Sequence, residues 1–275
     1  MIMIGGPFVG DFEQEIITFR PWLVWLTLKS NPEKVYVNTH KNRSFLYNFN
    51  EKILPVYEHI SRNEIGQIGY THNDIDSKLF KIMIKDIQND VCEMEDCSKK
   101  SIEIYNLSYI RNTPHMSIYN KIYSPINVPD DIENPYKDKV IFIPSSNEKR
   151  DPLSKVKRFL REYHELVIAG DIRTRFKKQN VVLSMIDYYE NGFKLLIKII
   201  SEAKAVICPI SHWTTICNLQ QIPVFSWGPN VGQYREDGIY LFGNKKCVTF
   251  SSNGNIKVVL HMIENFLEDV YNDRL

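Results

Sequence analysis

AVICPISHWTTICNLQQIPVFSWGP, residues 205–229, decides how this chain reads. It opens on a short apolar run, Ala205–Cys208, and breaks at Pro209. Ser211, His212, Thr214 and Thr215 follow, and a second apolar run from Ile222 ends in Gly228-Pro229. The pattern is strand, turn, helix, strand. Ser211 stands where an N-cap belongs, which predicts that the next backbone N–H groups are free to face a ligand. A helix N-terminus at the carboxyl end of a strand in an open α/β sheet is a place where anions bind. The same residues also suit an ordinary connection whose serine only caps a helix. On this stretch alone both readings stand.

The pattern continues on either side. Val140–Ile143 predicts a strand, Leu153–Tyr163 a helix, and Leu166–Ala169 a strand ending in Gly170-Asp171. Val181–Leu183 reads as a strand, Gly192–Ser201 as a helix, and Ile256–Val270 as an amphipathic closing helix. In the first half, Met1–Ile4 is a strand closed by Gly5-Gly6-Pro7. An apolar helix then runs from Phe12 to Leu28, with a kink or late start expected at Pro21. Asn31-Pro32 stops it, and Val35–Asn38 is the second strand. Phe45–Ile60 reads as helix interrupted by Pro55, Ile65–Tyr70 as strand, Ser77–Met94 as helix and Ile102–Leu107 as strand. Strands alternating with helices at this spacing predict parallel sheets. The Pro-rich stretch Ser124–Lys139 reads as a linker. The expected fold class is therefore α/β, with two Rossmann-like domains, residues 1–130 and 131–275, facing across a cleft that would hold the ligand. The first turn lacks the GxGxxG pattern of a dinucleotide site.

With 275 residues, 43% hydrophobic and 24% charged, the composition is that of an ordinary soluble domain protein. The formal net charge of +1 gives no bulk pull toward nucleic acid or membrane. Five cysteines without a paired metal-ligand spacing suggest reduced thiols in a cytoplasmic protein. No apolar run reaches transmembrane length and no signal sequence is evident, so no membrane insertion is expected. Richness in Ile, Lys, Asn and Tyr suits an AT-rich genome, such as that of a phage.

Three local patterns resemble the nucleotide-sugar glycosyltransferases with two Rossmann domains (GT-B type), in particular the heptosyltransferase-like branch. The first is the Val9-Gly10-Asp11 turn with its apolar helix, Asn31-Pro32 and the strand Val35–Asn38. The second is Ile143-Pro144-Ser145-Ser146-Asn147-Glu148-Lys149-Arg150. The third is residues 205–229, where Ser211-His212 fall at the family's Thr-Gly, and Ile222-Pro223-Val224 and Gly228-Pro229 match its Pro-Val and Gly-Pro. Ile210 stands in place of the family's Asp, His212 of its Gly and Thr215 of its His, so donor and stereochemistry are not carried over.

The resemblance implies transfer of a sugar from a nucleoside-diphosphate sugar, as co-substrate, to an acceptor hydroxyl, with no other cofactor. It places the general base at Asp11, with Glu13 as the fallback carboxylate; Asp11 would otherwise cap the following helix. Lys149 and Arg150, with Ser145 and Ser146, are candidates for the donor diphosphate, or form a solvated basic turn with Lys155, Lys157, Arg158 and Arg161. Ser211, His212, Trp213, Thr214 and Thr215 would offer N–H and hydroxyl groups to the same diphosphate, and Trp213 is either a stacking platform or an interior aromatic. Gly170 and Asp171, or Asp187, would meet a ribose. Asp74-Ile75-Asp76 matches a metal-binding Asp-x-Asp, but its place before a helical run favours capping, so no metal is expected. The acceptor would be a glycan, a small molecule, or a hydroxymethylated pyrimidine in phage DNA. The basic groups Lys149–Arg161 and Arg173, Arg175, Lys177 and Lys178, with Tyr105, Tyr109, Tyr119 and Tyr123 in the amino-terminal half, suit the last, or the charges are only solvated. A non-catalytic nucleotide-sugar-binding module and a sugar-nucleotide epimerase are the alternatives.

Overall fold

The computed structural model describes residues 1–8, 15–40, 43–47, 57–59, 77–106, 125–128, 131–144, 155–160 other than 157, 166–169, 193–228, 231–234, 242–251 and 255–275. The chain divides into two compact units, Met1–Asn127 and Val128–Leu275.

In the first unit, β1 (Ile2–Gly5), β2 (Lys34–His40), β3 (Tyr57–His59) and β4 (Ile102–Tyr105) form a sheet in the order β3-β2-β1-β4, all parallel. β1 is buried along its whole length, as a central parallel strand covered on both faces must be. Helix α1 (Arg20–Ser30) starts late, with Pro21 in its first turn, where a missing N–H costs nothing. A single π-turn, Glu15–Phe19, leads into it. Asn31 closes α1 in the left-handed conformation, its N–H returning to the Thr27 carbonyl at 3.0 Å. Helix α2 (Ser77–Glu95) lays Ile87 and Val91 against Ile2, Ile4, Tyr36 and Ile102.

One expectation is corrected here. Tyr57–His59, read from the sequence as part of a helix, is a strand, paired in parallel with Asn38–His40. Residues 44–47 are a short 3-10 turn rather than the start of a long helix.

The second unit contains β5 (Val140–Phe142), β6 (Leu166–Ile168), α3 (Phe193–Ser201), β7 (Ala205–Pro209), α4 (His212–Leu219), β8 (Val224–Trp227), β9 (Cys247–Phe250) and α5 (Ile256–Tyr271). Its strands run parallel in the order β6-β5-β7-β8-β9. One face of this sheet is closed by α5, where Val259, Ile263, Phe266, Leu267 and Val270 join Val140, Phe142, Ala205, Ile207, Phe225 and Trp227 in one core cluster. Because successive residues of a strand alternate faces, Cys208 and Ser226 point to the opposite side, where α4 lies. Strand β9 was not anticipated; its four residues are only half-buried, at the sheet edge. Among the described residues, no helix is long and apolar enough to cross a membrane.

Candidate functional site

The strand order of the second unit locates a site. From β5 the chain winds to β6 on one side and then returns to β7 on the other, so the winding reverses between β5 and β7. Ligands of doubly wound sheets bind beyond the carboxyl ends of the strands at such a reversal. The segment that leaves β7 there is Ile210-Ser211, followed by α4.

Ser211 is the N-cap of α4, in extended conformation, and its hydroxyl accepts the Trp213 N–H at 3.3 Å. The Thr214 hydroxyl in turn accepts the Ser211 N–H at 3.3 Å, completing a capping box, and the Thr214 N–H meets the Ser211 carbonyl at 3.0 Å. The expectation that these N–H groups are free for a ligand is thereby corrected. Two of them are held inside the cap. Thr214 and Thr215 are fully buried and Trp213 nearly so, its ring 4.5 Å from that of His212, which makes it an interior aromatic in this arrangement. Ser211 and His212 keep partial exposure, while the His212 Nε2 atom itself is buried.

Behind the cap lies a buried trio. The Thr214 and Ser226 hydroxyls are 2.9 Å apart, Cys208 Sγ is 3.3 Å from Ser226 Oγ, and it is 3.6 Å from Thr214 Oγ1. Burial pushes the Cys208 thiol up to about 11, against a smaller opposing effect of these two hydrogen bonds, so it is a protonated donor at neutral pH.

The first unit holds a second polar centre that the sequence reading missed. Glu15 is fully buried. Its Oε1 accepts the hydroxyls of Thr39 and, at 2.6 Å, Tyr47; its Oε2 accepts Arg43 Nη1 at 2.9 Å. Beside it the buried Arg20 donates Nε to the Leu46 carbonyl at 2.5 Å and Nη2 to the Pro125 carbonyl at 2.8 Å. Burial lowers the Arg20 guanidinium to about 10, and burial reinforced by the Glu15 charge raises the Tyr47 phenol well above its ordinary range. The Phe8 N–H bonds the Asn38 carbonyl at 2.9 Å and Glu15 takes the Thr39 hydroxyl, so two consecutive residues of β2 hold Phe8 and Glu15. The visible clue was Glu15 and Arg20 standing as charges in an otherwise apolar run.

Asp11, Glu13, Ser145, Ser146, Lys149, Arg150, Gly170, Asp171 and Asp187 lie outside the described residues, as do Asp74-Ile75-Asp76. Among the described residues no group of three or more His, Cys, Asp or Glu is placed to hold a metal ion.

No protein-family model matches the sequence, and no curated protein matches it. Solved structures do resemble it. A glycosyl transferase of family 9 from Veillonella parvula superposes with a TM-score of 0.58 at 12% identity, over 96% of this chain and 89% of that one. The E. coli ADP-heptose lipopolysaccharide heptosyltransferase II gives 0.58 at 10% identity, over 100% and 99% of the two chains. E. coli heptosyltransferase WaaC with ADP gives 0.56 at 10% identity, over 96% and 99%. At these identities the likeness is one of fold, and it extends over the whole chain. The protein has the α/β architecture with parallel sheets of the GT-B glycosyltransferases, as the three sequence patterns imply.

Proposed function

We propose that this protein is a glycosyltransferase that moves a sugar from a nucleoside-diphosphate sugar to an acceptor hydroxyl. The observation that carries the reading is the capped Ser211-His212 turn at the strand-order reversal of the second unit, in a chain with the fold of family 9 glycosyl transferases. In this reading the acceptor oxygen attacks the anomeric carbon while the bond from that carbon to the diphosphate breaks. The proton passes to the Asp11 carboxylate, with Glu13 as the fallback, and the nucleoside diphosphate leaves with the bonding electrons. Charge grows on the leaving diphosphate, which Lys149 and Arg150 would stabilise, with hydrogen bonds from Ser145, Ser146 and the Ser211-His212 turn. Gly170 and Asp171 would sit at the ribose. Direct attack inverts the anomeric configuration and requires no metal in this scheme. The acceptor is a glycan, a small molecule or a hydroxymethylated pyrimidine in phage DNA, and the setting is cytoplasmic.

A thermal-shift panel of UDP-, GDP-, ADP- and CMP-sugars tests the donor site, since a ligand that binds only the folded state raises its apparent stability. A rise of about 5 °C with one nucleotide class, at a hundredfold excess over Kd, is expected. No rise with any of the four removes the proposal.

A further inference from the structure

The trio Cys208, Thr214 and Ser226 has no part in the scheme above, yet all three residues are fully buried and each touches the other two. They come from three elements. Cys208 and Ser226 are direct partners in the β7–β8 register, and Thr214 reaches them from α4. Three groups, each with one hydrogen to give and a lone pair to receive, can close a ring in which every member donates once and accepts once. Three apolar side chains of the same size would fill this space without the need for matched partners, since exchanging a buried hydrogen-bonded pair for apolar groups is close to neutral. What apolar groups could not do is turn the Thr214 hydroxyl. The contact with Ser226, at 2.9 Å, sets the side chain so that its Oγ1 also meets the Ser211 N–H at 3.3 Å. The ring thereby reaches through one side chain to the backbone of the partly exposed Ser211-His212 turn.

We infer that Ser226 and Thr214 are positioning residues, which hold the Ser211-His212 turn in its ligand-facing orientation through the Thr214 hydroxyl. Neither side chain touches the ligand. The inference rests on the donor-site reading for its ligand, while its structural half can be measured without one.

Three variants separate the hydroxyl from packing. Thr214→Val keeps the shape and loses the hydroxyl, Thr214→Ser keeps the hydroxyl and loses a methyl, and Ser226→Ala removes the partner. Affinity for UDP and ADP, measured by calorimetry, is expected to fall about three- to tenfold in Thr214→Val and Ser226→Ala and to stay at the wild-type value in Thr214→Ser. The double variant Thr214→Val/Ser226→Ala is expected to lose no more than the worse single one, because both act through one contact. In parallel, the Ser211 amide is expected to exchange its hydrogen several-fold faster in Thr214→Val and Ser226→Ala but not in Thr214→Ser. A purely structural trio would instead make thermal stability and affinity fall together, worst in Thr214→Ser, and that overturns the inference. Wild-type protein that binds neither nucleotide sinks the donor-site reading; the exchange measurement then decides on the positioning role alone, and unchanged Ser211 exchange in Ser226→Ala overturns it.

Discussion

Glu15 and Tyr47 lie 32 residues apart in sequence, and the Tyr47 hydroxyl donates to the Glu15 carboxylate at 2.6 Å where neither side chain meets solvent. The Arg43 guanidinium supplies the charge that a buried carboxylate needs, at 2.9 Å. Removing one partner strands the other. Glu15→Leu is expected to cost about 3–5 kcal/mol in urea unfolding, and Arg43→Met somewhat less because that side chain keeps some exposure. Together the two substitutions should cost less than their sum, and strict additivity would show that the pair is not coupled.

Gly6 tests the close packing at the end of β1. Its φ is +117°, and a Cβ there would lie 2.4 Å from the Asn38 carbonyl oxygen, which is backbone and cannot swing aside. Gly6→Ala should destabilise by at least about 3 kcal/mol or abolish soluble expression. At Gly5 a Cβ would meet Leu23 Cδ1 at 2.8 Å, a side chain that can shift, so Gly5→Ala should cost about 1–3 kcal/mol. Melting temperatures of the two variants, compared side by side, check the order.

Fold and site were unequally legible in the sequence. Strands such as Val140–Phe142, Ala205–Pro209 and Val224–Trp227 could be read because a parallel strand covered on both faces is an uninterrupted apolar run. Tyr57–His59 could not, because three mostly polar residues owe their conformation to the neighbouring β2 ladder rather than to their own pattern. The edge strand Cys247–Phe250 is half-buried and leaves too weak a signal. The Ser211 cap was legible because its partners are two and three residues away. The Glu15 centre was not, since its three donors are 24 to 32 residues distant and only the tertiary fold brings them in.

The cap at Ser211 contributes on its own account. Ser211→Ala should cost about 1 kcal/mol and lower the melting temperature by about 2–4 °C, whereas Ser211→Gly should cost only a few tenths of a kcal/mol. Equal losses in the two would mean that the hydroxyl does not cap.

Alkali should weaken the second unit. Burial raises the thiols of Cys208 to about 11 and Cys247 to about 12, and Cys217 well above the ordinary value. Because the folded values are raised, the unfolded chain gives up these protons first. The stability they contribute is complete below about pH 8.5 and is lost as pH rises toward 11–12. By pH 10 the loss should be about 1–2 kcal/mol for Cys208. Arg20, lowered to about 10, acts in the opposite sense above that pH, so urea midpoints between pH 8 and 10 give the cleaner slope. Cys208→Ala should flatten the decline by about a third; an unchanged slope would refute the assignment.

Asp11 carries the chemical half of the proposal. Asp11→Asn should reduce turnover about 10²- to 10⁴-fold while the nucleotide-induced thermal shift persists. Loss of the shift together with turnover would place Asp11 in donor binding instead.

Arg20 has a practical consequence for dissecting the chain. Its guanidinium is fastened to the Pro125 carbonyl, and the next residue, Ile126, is itself buried. A fragment meant to fold as the amino-terminal half must therefore run at least through Asn127. Cut a few residues earlier, it would leave an arginine sealed in the interior without one of its carbonyl partners, and the failure would look like insolubility rather than a misplaced boundary.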